Sequence, residues 1–219
     1  MSLEEQIINQ YSKRNVNNNL YAGGHYVENA QKEIAENIQA FLKKEFNDFQ
    51  DLSLLEIGAG NSSNAKIFID LGIKSQNICF NELLPERILA IKTHFPNNTV
   101  FEGNAIEIEI NQKFDIIFQS TVFTSILNNS DREKLAKKML NLLKPNGIIL
   151  WYDFIYNNPK NKDVKKVDVK ELKSLFSNSS KLYYKKITLA PPIGRKVKKF
   201  YKLFNVPFLR SHILAIIKK

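Results

Sequence analysis

The stretch that decides the fold is Leu54-Leu55-Glu56-Ile57-Gly58-Ala59-Gly60-Asn61. A short apolar run of strand length ends beside an acidic residue, and two glycines follow immediately. Glycine accepts the positive φ angles of a tight turn, and it lets a ligand approach the backbone N–H groups closely. The stretch therefore predicts a strand, a ligand-binding turn and a helix, the opening unit of a Rossmann-like fold.

Short apolar runs alternate with helical patterns on the C-terminal side of this turn. Such alternation is typical of a parallel sheet built from βαβ units. The predicted strands are 52–57, 77–81, 99–102, 114–119 and 147–153, and the predicted helices are 64–71, 85–94 and 130–143. Ser130 and Glu133 fit a helix-capping box, and residues 144–147 (Lys-Pro-Asn-Gly) fit a turn into the fifth strand.

The flanking segments predict the rest of an α/β domain. Ser2 and Glu5 fit a second capping box, for a helix that ends near Asn15 before a loop to Gly24. The next helix carries one apolar stripe, formed by Val27, Ala30, Ile34, Ile38, Phe41 and Leu42. Asp168 and Glu171 predict a helix over 168–176, and β-segments at 181–189 and 212–217 then predict an antiparallel hairpin at the edge of a seven-stranded sheet.

Length and composition favour a single domain. A chain of 219 residues with 43% hydrophobic content can bury one substantial core. We expect a helical cap over 1–50, a cofactor-binding core over 51–155, and a sheet edge over 156–219 with a basic insertion at 190–210. Cys79 is the only cysteine, and no apolar run approaches the roughly 20 residues of a membrane-spanning helix, so the expected compartment is the cytoplasm.

The net charge of +10 is unevenly distributed. Residues 160–219 contain 17 basic and 3 acidic side chains, whereas the rest of the chain is slightly acidic. This asymmetry indicates either a surface that meets anions or the lysine-rich composition of an AT-rich genome.

The glycine turn differs from that of dinucleotide-binding proteins. Their fingerprint, Gly-x-Gly-x-x-Gly, requires a third glycine where Ser63 stands. A carboxylate at Glu56 also suits a cationic ligand better than a pyrophosphate.

Five segments in order resemble the motifs of class I S-adenosylmethionine-dependent methyltransferases, namely residues 54–60, 78–87, 101–105, 114–120 and 142–150. The resemblance implies S-adenosylmethionine as cofactor, with Glu82 on the ribose hydroxyls and the third motif on adenine. That motif usually carries Asp, but the amide oxygen of Asn104 can still accept a hydrogen bond. The implied cofactor-binding residues are Tyr11, Glu56, Ile57, Gly58, Ala59, Gly60, Asn61, Glu82, Leu83, Asn104, Ala105 and Gln119.

The acceptor is indicated by the segment after the fourth strand. Residues 119–122 (Gln-Ser-Thr-Val) lack the Asn/Asp-Pro-Pro-aromatic pattern of enzymes that methylate adenine or glutamine amides, so nucleic acid is an unlikely partner. Residues 153–159, 189–195 and 207–212 resemble small methyltransferases of bacterial surface-polysaccharide gene clusters. That resemblance implies O-methylation of a small-molecule or glycan acceptor, phosphorylated or lipid-linked in some cases, with Arg195 either facing an anionic group or pinning its turn. A non-catalytic partner subunit and a nucleic-acid methyltransferase are the alternatives.

Several further roles are open at this level. His25 and Asp153 are candidate general bases for a sugar hydroxyl, whereas a phosphate acceptor needs none; His94 and His212 are expected to be structural. Tyr11, Tyr21 and Tyr26 either close the cofactor site or fill the core edge. Residues 195–202 with Leu203 and Phe204 could form a membrane-surface helix at the inner face of the membrane. No metal-ligand spacing is present, which predicts a metal-independent enzyme.

Overall fold

The fold was analysed in a computed structural model, in which residues 2–15, 24–159 and 161–219 are described. The strands are β1 (Leu54–Ile57), β2 (Ile78–Glu82), β3 (Val100–Glu102), β4 (Phe114–Ser120), β5 (Leu143–Phe154), β6 (Lys181–Leu189) and β7 (Arg210–Lys218). The helices are α1 (Leu3–Asn15), α2 (His25–Glu45), α3 (Ala65–Leu71), α4 (Pro85–His94), α5 (Asn129–Leu142), α6 (Val169–Leu175), α7 (Pro191–Val197) and α8 (Tyr201–Phe204). Short 3-10 turns cover Ser75–Asn77, Phe123–Ser125, Lys198–Phe200 and Pro207–Leu209.

The strands form one seven-stranded sheet in the order β3-β2-β1-β4-β5-β7-β6. The first five strands are parallel, whereas β7 runs antiparallel to both β5 and β6. This arrangement confirms the predicted Rossmann-like fold with an antiparallel C-terminal hairpin. Phe154, at the end of β5, pairs with His212 near the start of β7. The connection from β6 to β7 therefore emerges at the same end of the sheet as the carboxyl ends of β1, β4 and β5.

Apolar side chains are buried on both faces of the sheet. On one face, Leu135 and Met139 of α5 and Leu172 of α6 pack in a cluster that contains Trp151. On the other face, Ile38 of α2 packs in a second cluster, in which Ile34 and Phe41 are half-buried. The predicted apolar stripe of α2 therefore faces the sheet.

The helix caps match the sequence predictions at two of three positions. Ser2 Oγ accepts from Glu5 N at 3.1 Å, and Asp168 Oδ1 accepts from Glu171 N at 3.0 Å. The cap predicted at Ser130 is wrong, because α5 begins at Asn129 and its cap is Asn128, whose Oδ1 accepts from Ser130 N at 2.8 Å. Asparagine in an extended conformation is an excellent N-cap, and it captures the helix start ahead of the serine.

The turn predicted at 144–147 is an irregular stretch inside β5. Leu143 already pairs with Phe114, and regular pairing resumes between Ile148 and Ile116. Asn146 between them has a φ of 65°, which is the extra-residue geometry of a bulge. Residues 16–23 of the predicted loop, including Tyr21, lie outside the described residues.

Candidate active site

A cleft opens at the carboxyl ends of β1, β2 and β4, and α1 covers one side of it. The space within the cleft is about 640 Å³ when the open solvent at its mouth is counted. Its lining comes from α1, from the ends of three strands and from the segment after β4: Leu3, Ile7, Tyr11, Ile57, Gly58, Asn81, Glu82, Leu83, Arg87, Gly103, Asn104, Ala105, Ile106, Ser120, Thr121, Val122, Ser125, Ile126 and Leu135. Tyr11, Ile57, Gly58, Glu82, Leu83, Asn104 and Ala105 are lining residues that the sequence predicted.

The turn after β1 needs its glycines for two different reasons. Gly58 and Gly60 have φ angles of 61° and 60°, in the left-handed region that costs other residues energy. A Cβ on Gly58 would also lie 2.7 Å from Val122 Cγ2, whereas one on Gly60 would meet nothing nearer than Arg87 Nη1 at 3.9 Å. Gly58 therefore lets the segment after β4 approach the cofactor turn.

Glu56 is almost completely buried beneath this turn, with 1% of its surface exposed. Its Oε1 accepts from Asn64 Nδ2 at 2.8 Å, while Oε2 has no hydrogen-bond partner within the described part of the chain. Burial, with a smaller contribution from the neighbouring Glu82, raises the pKa of the Glu56 carboxyl to about 8 against the opposing effect of the Asn64 hydrogen bond. A buried acceptor without a partner is costly, and a ligand cation would satisfy it.

Glu82 joins the cofactor turn to the end of β2. Its Oε2 accepts from Gly60 N at 2.7 Å, and its Oε1 accepts from Leu83 N at 2.8 Å and Leu84 N at 3.0 Å. Each carboxylate oxygen has about two acceptor positions, so one position on Oε2 remains for a ligand hydroxyl. Glu82 thus both shapes the turn and lines the cleft.

Asn104 lies in the cleft after β3. Its Oδ1 accepts from Ile106 N at 3.0 Å and so holds the loop that also carries Ala105. The side chain can still meet an adenine edge through its amide group, which keeps the adenine assignment as a prediction.

Five predicted cofactor residues lie outside the lining of the cleft: Glu56 and Gly60, described above, and Ala59, Asn61 and Gln119. Asn61 is exposed, and its Oδ1 accepts from Ser63 N at 3.3 Å. Ala59 N donates to Asn81 O at 2.9 Å, which ties the turn to β2. Gln119 is completely buried, and its Oε1 accepts from Val122 N at 3.0 Å, so it positions the segment after β4.

The two candidate bases do not line the cleft. His25 begins α2 with 67% of its side chain exposed, and its Nδ1 lies 3.7 Å from Glu28 Oε2. Asp153 is fully buried, and it accepts from Thr124 Oγ1 at 2.7 Å, from Thr124 N at 3.3 Å and from Phe154 N at 3.0 Å. Burial raises the pKa of Asp153 to about 7. These contacts favour a positioning role for Asp153 and leave both base assignments as predictions.

Tyr26 and Arg195 lie away from the cleft. Tyr26 packs on Gly194 of α7, where a Cβ would lie 2.2 Å from its ring, and its hydroxyl donates to Leu189 O at 3.1 Å. Of the two roles left open for Tyr26, these contacts support packing at the core edge, since the ring is held between α2 and α7. Arg195 is exposed on α7.

Arg87 is a cleft residue that the sequence reasoning missed. Its guanidinium carbon lies 4.2 Å from the centre of the Tyr11 ring, and both side chains line the cleft. A cation–π contact of this kind holds α1 against α4 over the site. The only available signal was the place of Arg87 in the first turns of the helix after Glu82.

Three hydroxyl-bearing residues, Ser120, Thr121 and Ser125, line the cleft beyond β4. Thr121 adopts a φ of 58°, an uncommon value for a β-branched residue that is often found at functional sites. Thr121 and Ser125 donate their hydroxyl protons to backbone oxygens, so their oxygens remain available as acceptors.

Of the two histidines expected to be structural, His212 is buried in the fold and His94 is not. His212 is buried and stacks on Tyr152 with ring centres 4.9 Å apart, and burial lowers its pKa to about 4. His94 is exposed at the end of α4. Among residues 2–15, 24–159 and 161–219, no three His, Cys, Asp or Glu side chains are grouped to hold a metal ion.

Together these features fit S-adenosylmethionine. The unpartnered Glu56 oxygen suits its cationic portion, and the Glu82 carboxylate suits a ribose hydroxyl. A seven-stranded fold with this site defines the class of S-adenosylmethionine-dependent methyltransferases. Residues 26–177 match the family described as methyltransferase domain, and the chain belongs to that family. The family assignment makes S-adenosylmethionine the expected cofactor of this domain.

One curated relative is malonyl-[acyl-carrier protein] O-methyltransferase of Calditerrivibrio nitroreducens. It is 30% identical over 145 residues, which cover 65% of this chain and 54% of the relative. The chain thus spans about half the length of that relative.

Solved structures of low sequence identity share the fold. Magnesium protoporphyrin IX methyltransferase of Synechocystis, with bound S-adenosylmethionine, superposes with a TM-score of 0.67 at 8% identity and covers 100% of this chain and 98% of its own. Streptomyces venezuelae DesVI superposes with a TM-score of 0.62 at 10% identity, over 97% and 98% of the two chains.

Proposed function

We propose that this methyltransferase methylates an oxygen atom of a small-molecule or glycan acceptor in the synthesis of a bacterial surface polysaccharide. The observation that carries the proposal is the group of hydroxyl-bearing residues Ser120, Thr121 and Ser125 at the end of β4. Neutral hydroxyl groups match the hydroxyl and carboxyl groups of a sugar unit in hydrogen-bonding capacity. The polysaccharide setting rests on the sequence resemblance of the C-terminal segments.

The curated relative supports oxygen as the methylated atom. That relative is an O-methyltransferase, and it is similar to this chain over 145 residues. Its acceptor, a malonyl group on a carrier protein, offers a carboxylate oxygen, so a carboxylate is a second acceptor group to test beside a sugar hydroxyl.

The cofactor, when bound, supplies an electrophilic methyl group on a sulfonium. The residues of this chain then have to orient the acceptor oxygen and exclude water. Val122 and Ile126 supply apolar surface beside the three hydroxyls, while Gln119 and Asp153 hold the segment between them from below. We infer that these buried groups fix the acceptor segment in one geometry.

The proposal also includes the domain organisation of the chain and the role of Arg195. We expect the chain to act as a single methyltransferase domain, because strands from residues 54–218 form one sheet. Arg195 as a contact for an anionic acceptor remains a prediction. None of the helices in the described ranges is long and apolar enough to cross a membrane.

The experiment is a methyl-transfer assay with acceptors of different chemistry. The purified chain is incubated with isotope-labelled S-adenosylmethionine and nucleotide sugars, capsule fragments, malonyl carrier protein or RNA, and products are analysed by mass spectrometry. We expect the sugar acceptor to carry the labelled methyl group. Treatment with alkali then removes the label from a methyl ester and leaves it on a methyl ether. Label on nitrogen, or on RNA alone, contradicts the proposal and favours the nucleic-acid alternative.

A matched pair of serine variants tests the hydroxyl group of residues. Ser125→Ala should lower kcat/KM for the acceptor by about tenfold, the effect of one lost hydrogen bond, and leave cofactor binding unchanged. Ser12→Ala removes an exposed hydroxyl that donates to Asn9 O at 3.0 Å on α1 and serves as the control. Equal activity of the two variants would refute the acceptor role of Ser125.

A further inference from the structure

The connection between β6 and β7 presents a surface that the methyl-transfer site does not use. It comprises α7, α8 and the two 3-10 turns beside them, over residues 191–209. The basic-apolar surface, as we name it, consists of Lys196, Lys198, Lys199, Phe200, Lys202, Leu203, Phe204 and Phe208.

Large apolar side chains of this surface are exposed to an unusual degree. Phe208 is 78% exposed and Leu203 is 73% exposed, and Phe200 and Phe204 are 53% and 41% exposed. Burying such side chains in the fold would be favourable, yet four of them face outward within nine residues. A clustered apolar patch of this kind indicates a binding surface.

All the charged side chains of the segment that carries the patch are basic. No Asp or Glu occurs between residues 172 and 219, and the four lysines of the surface are exposed. The facing acids are Glu33 and Glu36 of α2, which share a small groove with Lys202. Glu33 accepts a hydrogen bond from Tyr201 at 2.7 Å, so part of its charge is directed inward.

The opposite side of the segment is firmly attached to the fold. Tyr201 is buried, and its hydroxyl accepts from Leu189 N at 3.1 Å. Gly194 packs directly under the Tyr26 ring. These inner contacts hold the apolar side chains of the outer face toward solvent, so the exposure is a property of the folded segment.

We propose that the basic-apolar surface binds the surface of an anionic phospholipid bilayer. Phenylalanine and leucine insert at the boundary between headgroups and acyl chains, while lysines attract anionic headgroups. An RNA ligand would use the lysines but would leave Leu203 and Phe208 without a matching contact. The surface lies at the same end of the sheet as the methyl-transfer cleft, so membrane binding would bring the cleft toward acceptors held at the bilayer.

The test is sedimentation of the full chain with vesicles. Vesicles of phosphatidylcholine alone are compared with vesicles that also contain phosphatidylglycerol, at low and high salt. We expect binding to the anionic vesicles only, weakened by salt. Leu203→Ser/Phe208→Ser should lower the partition coefficient about tenfold or more, and Lys198→Glu/Lys199→Glu should lower it by a similar factor and remove much of the salt dependence.

Two controls distinguish the surface from general stickiness and charge. Leu89→Ser changes another highly exposed leucine, 68% exposed on α4, and Lys137→Glu changes an exposed lysine on α5; both should bind like the wild type. All variants are compared by circular dichroism and by S-adenosylmethionine binding, which should be unchanged. The proposal would be overturned if the wild type did not bind anionic vesicles, or if the control variants lost as much binding as the surface variants. It would also be overturned if the surface variants bound vesicles normally and lost self-association or RNA binding instead.

Discussion

The replacement of Gly58 by alanine tests how the cofactor turn and the acceptor segment fit together. Alanine at a φ of 61° incurs a backbone cost of about 1–2 kcal/mol. The new Cβ would also lie 2.7 Å from Val122 Cγ2, and overpacking of this kind typically costs about 1–3 kcal/mol more. We therefore expect Gly58→Ala to lower the free energy of unfolding by about 2–5 kcal/mol, measured by urea unfolding.

Gly60 provides the matched control for this prediction. Its φ of 60° imposes the same backbone cost, but its nearest neighbour would be Arg87 Nη1 at 3.9 Å, which is ordinary contact. Gly60→Ala should therefore cost only about 1–2 kcal/mol. In a double-mutant cycle, Val122→Ala should recover the extra loss of Gly58→Ala. Equal losses at the two glycines, or no coupling to Val122, would refute the proposed contact.

Three other predictions concern buried polar groups. Because the pKa of Glu56 lies at about 8, above its ordinary 4.5, the stability of the cofactor-free enzyme should fall as pH rises from 4.5 to 8. Cofactor binding near neutral pH should release a proton from Glu56, and calorimetry in several buffers measures this release. Glu56→Gln should abolish the proton release. Glu82→Gln should weaken S-adenosylmethionine binding at least about tenfold, since one charged hydrogen bond to the ribose is lost; an unchanged Kd would exclude its ribose role. Thr124→Val removes the 2.7 Å bond to Asp153 and should lower the free energy of unfolding by about 1–3 kcal/mol, whereas Thr93→Val on the exposed side of α4 should not.

Local sequence pattern predicted the fold well because the decisive signals are short in range. The Gly58 turn, the alternation of strands and helices, and the caps at Ser2 and Asp168 each depend on neighbouring residues. The errors have local causes as well. Asn128 competes with Ser130 for the same helix start, and the bulge at Asn146 resembles a turn because both need a residue with positive φ.

Most of the lining residues that the sequence predicted lie where one motif supplies both the backbone turn and the side chain. Glu82 and Gly58 are of that kind. Arg87 was missed because its role depends on Tyr11, which lies 76 residues earlier in the chain and reaches it through the packing of α1. For Tyr26 the sequence left two roles open, because its ring is held by Gly194 through a contact that no local pattern predicts.

The two ends of the cleft are built in different ways, and this explains why the cofactor was easier to infer than the acceptor. At the cofactor end, the residues predicted to contact the ligand also form the turn, so the same few positions determine both the binding chemistry and the fold. At the acceptor end, the hydroxyl-bearing segment takes its shape from Gln119 and Asp153, which are fully buried and have no contact with the cleft. Because a buried support can hold many different side chains in the same place, Ser120, Thr121 and Ser125 can determine the acceptor without any change in the fold. Substitutions at those three positions should therefore alter acceptor preference while cofactor affinity and stability stay nearly constant.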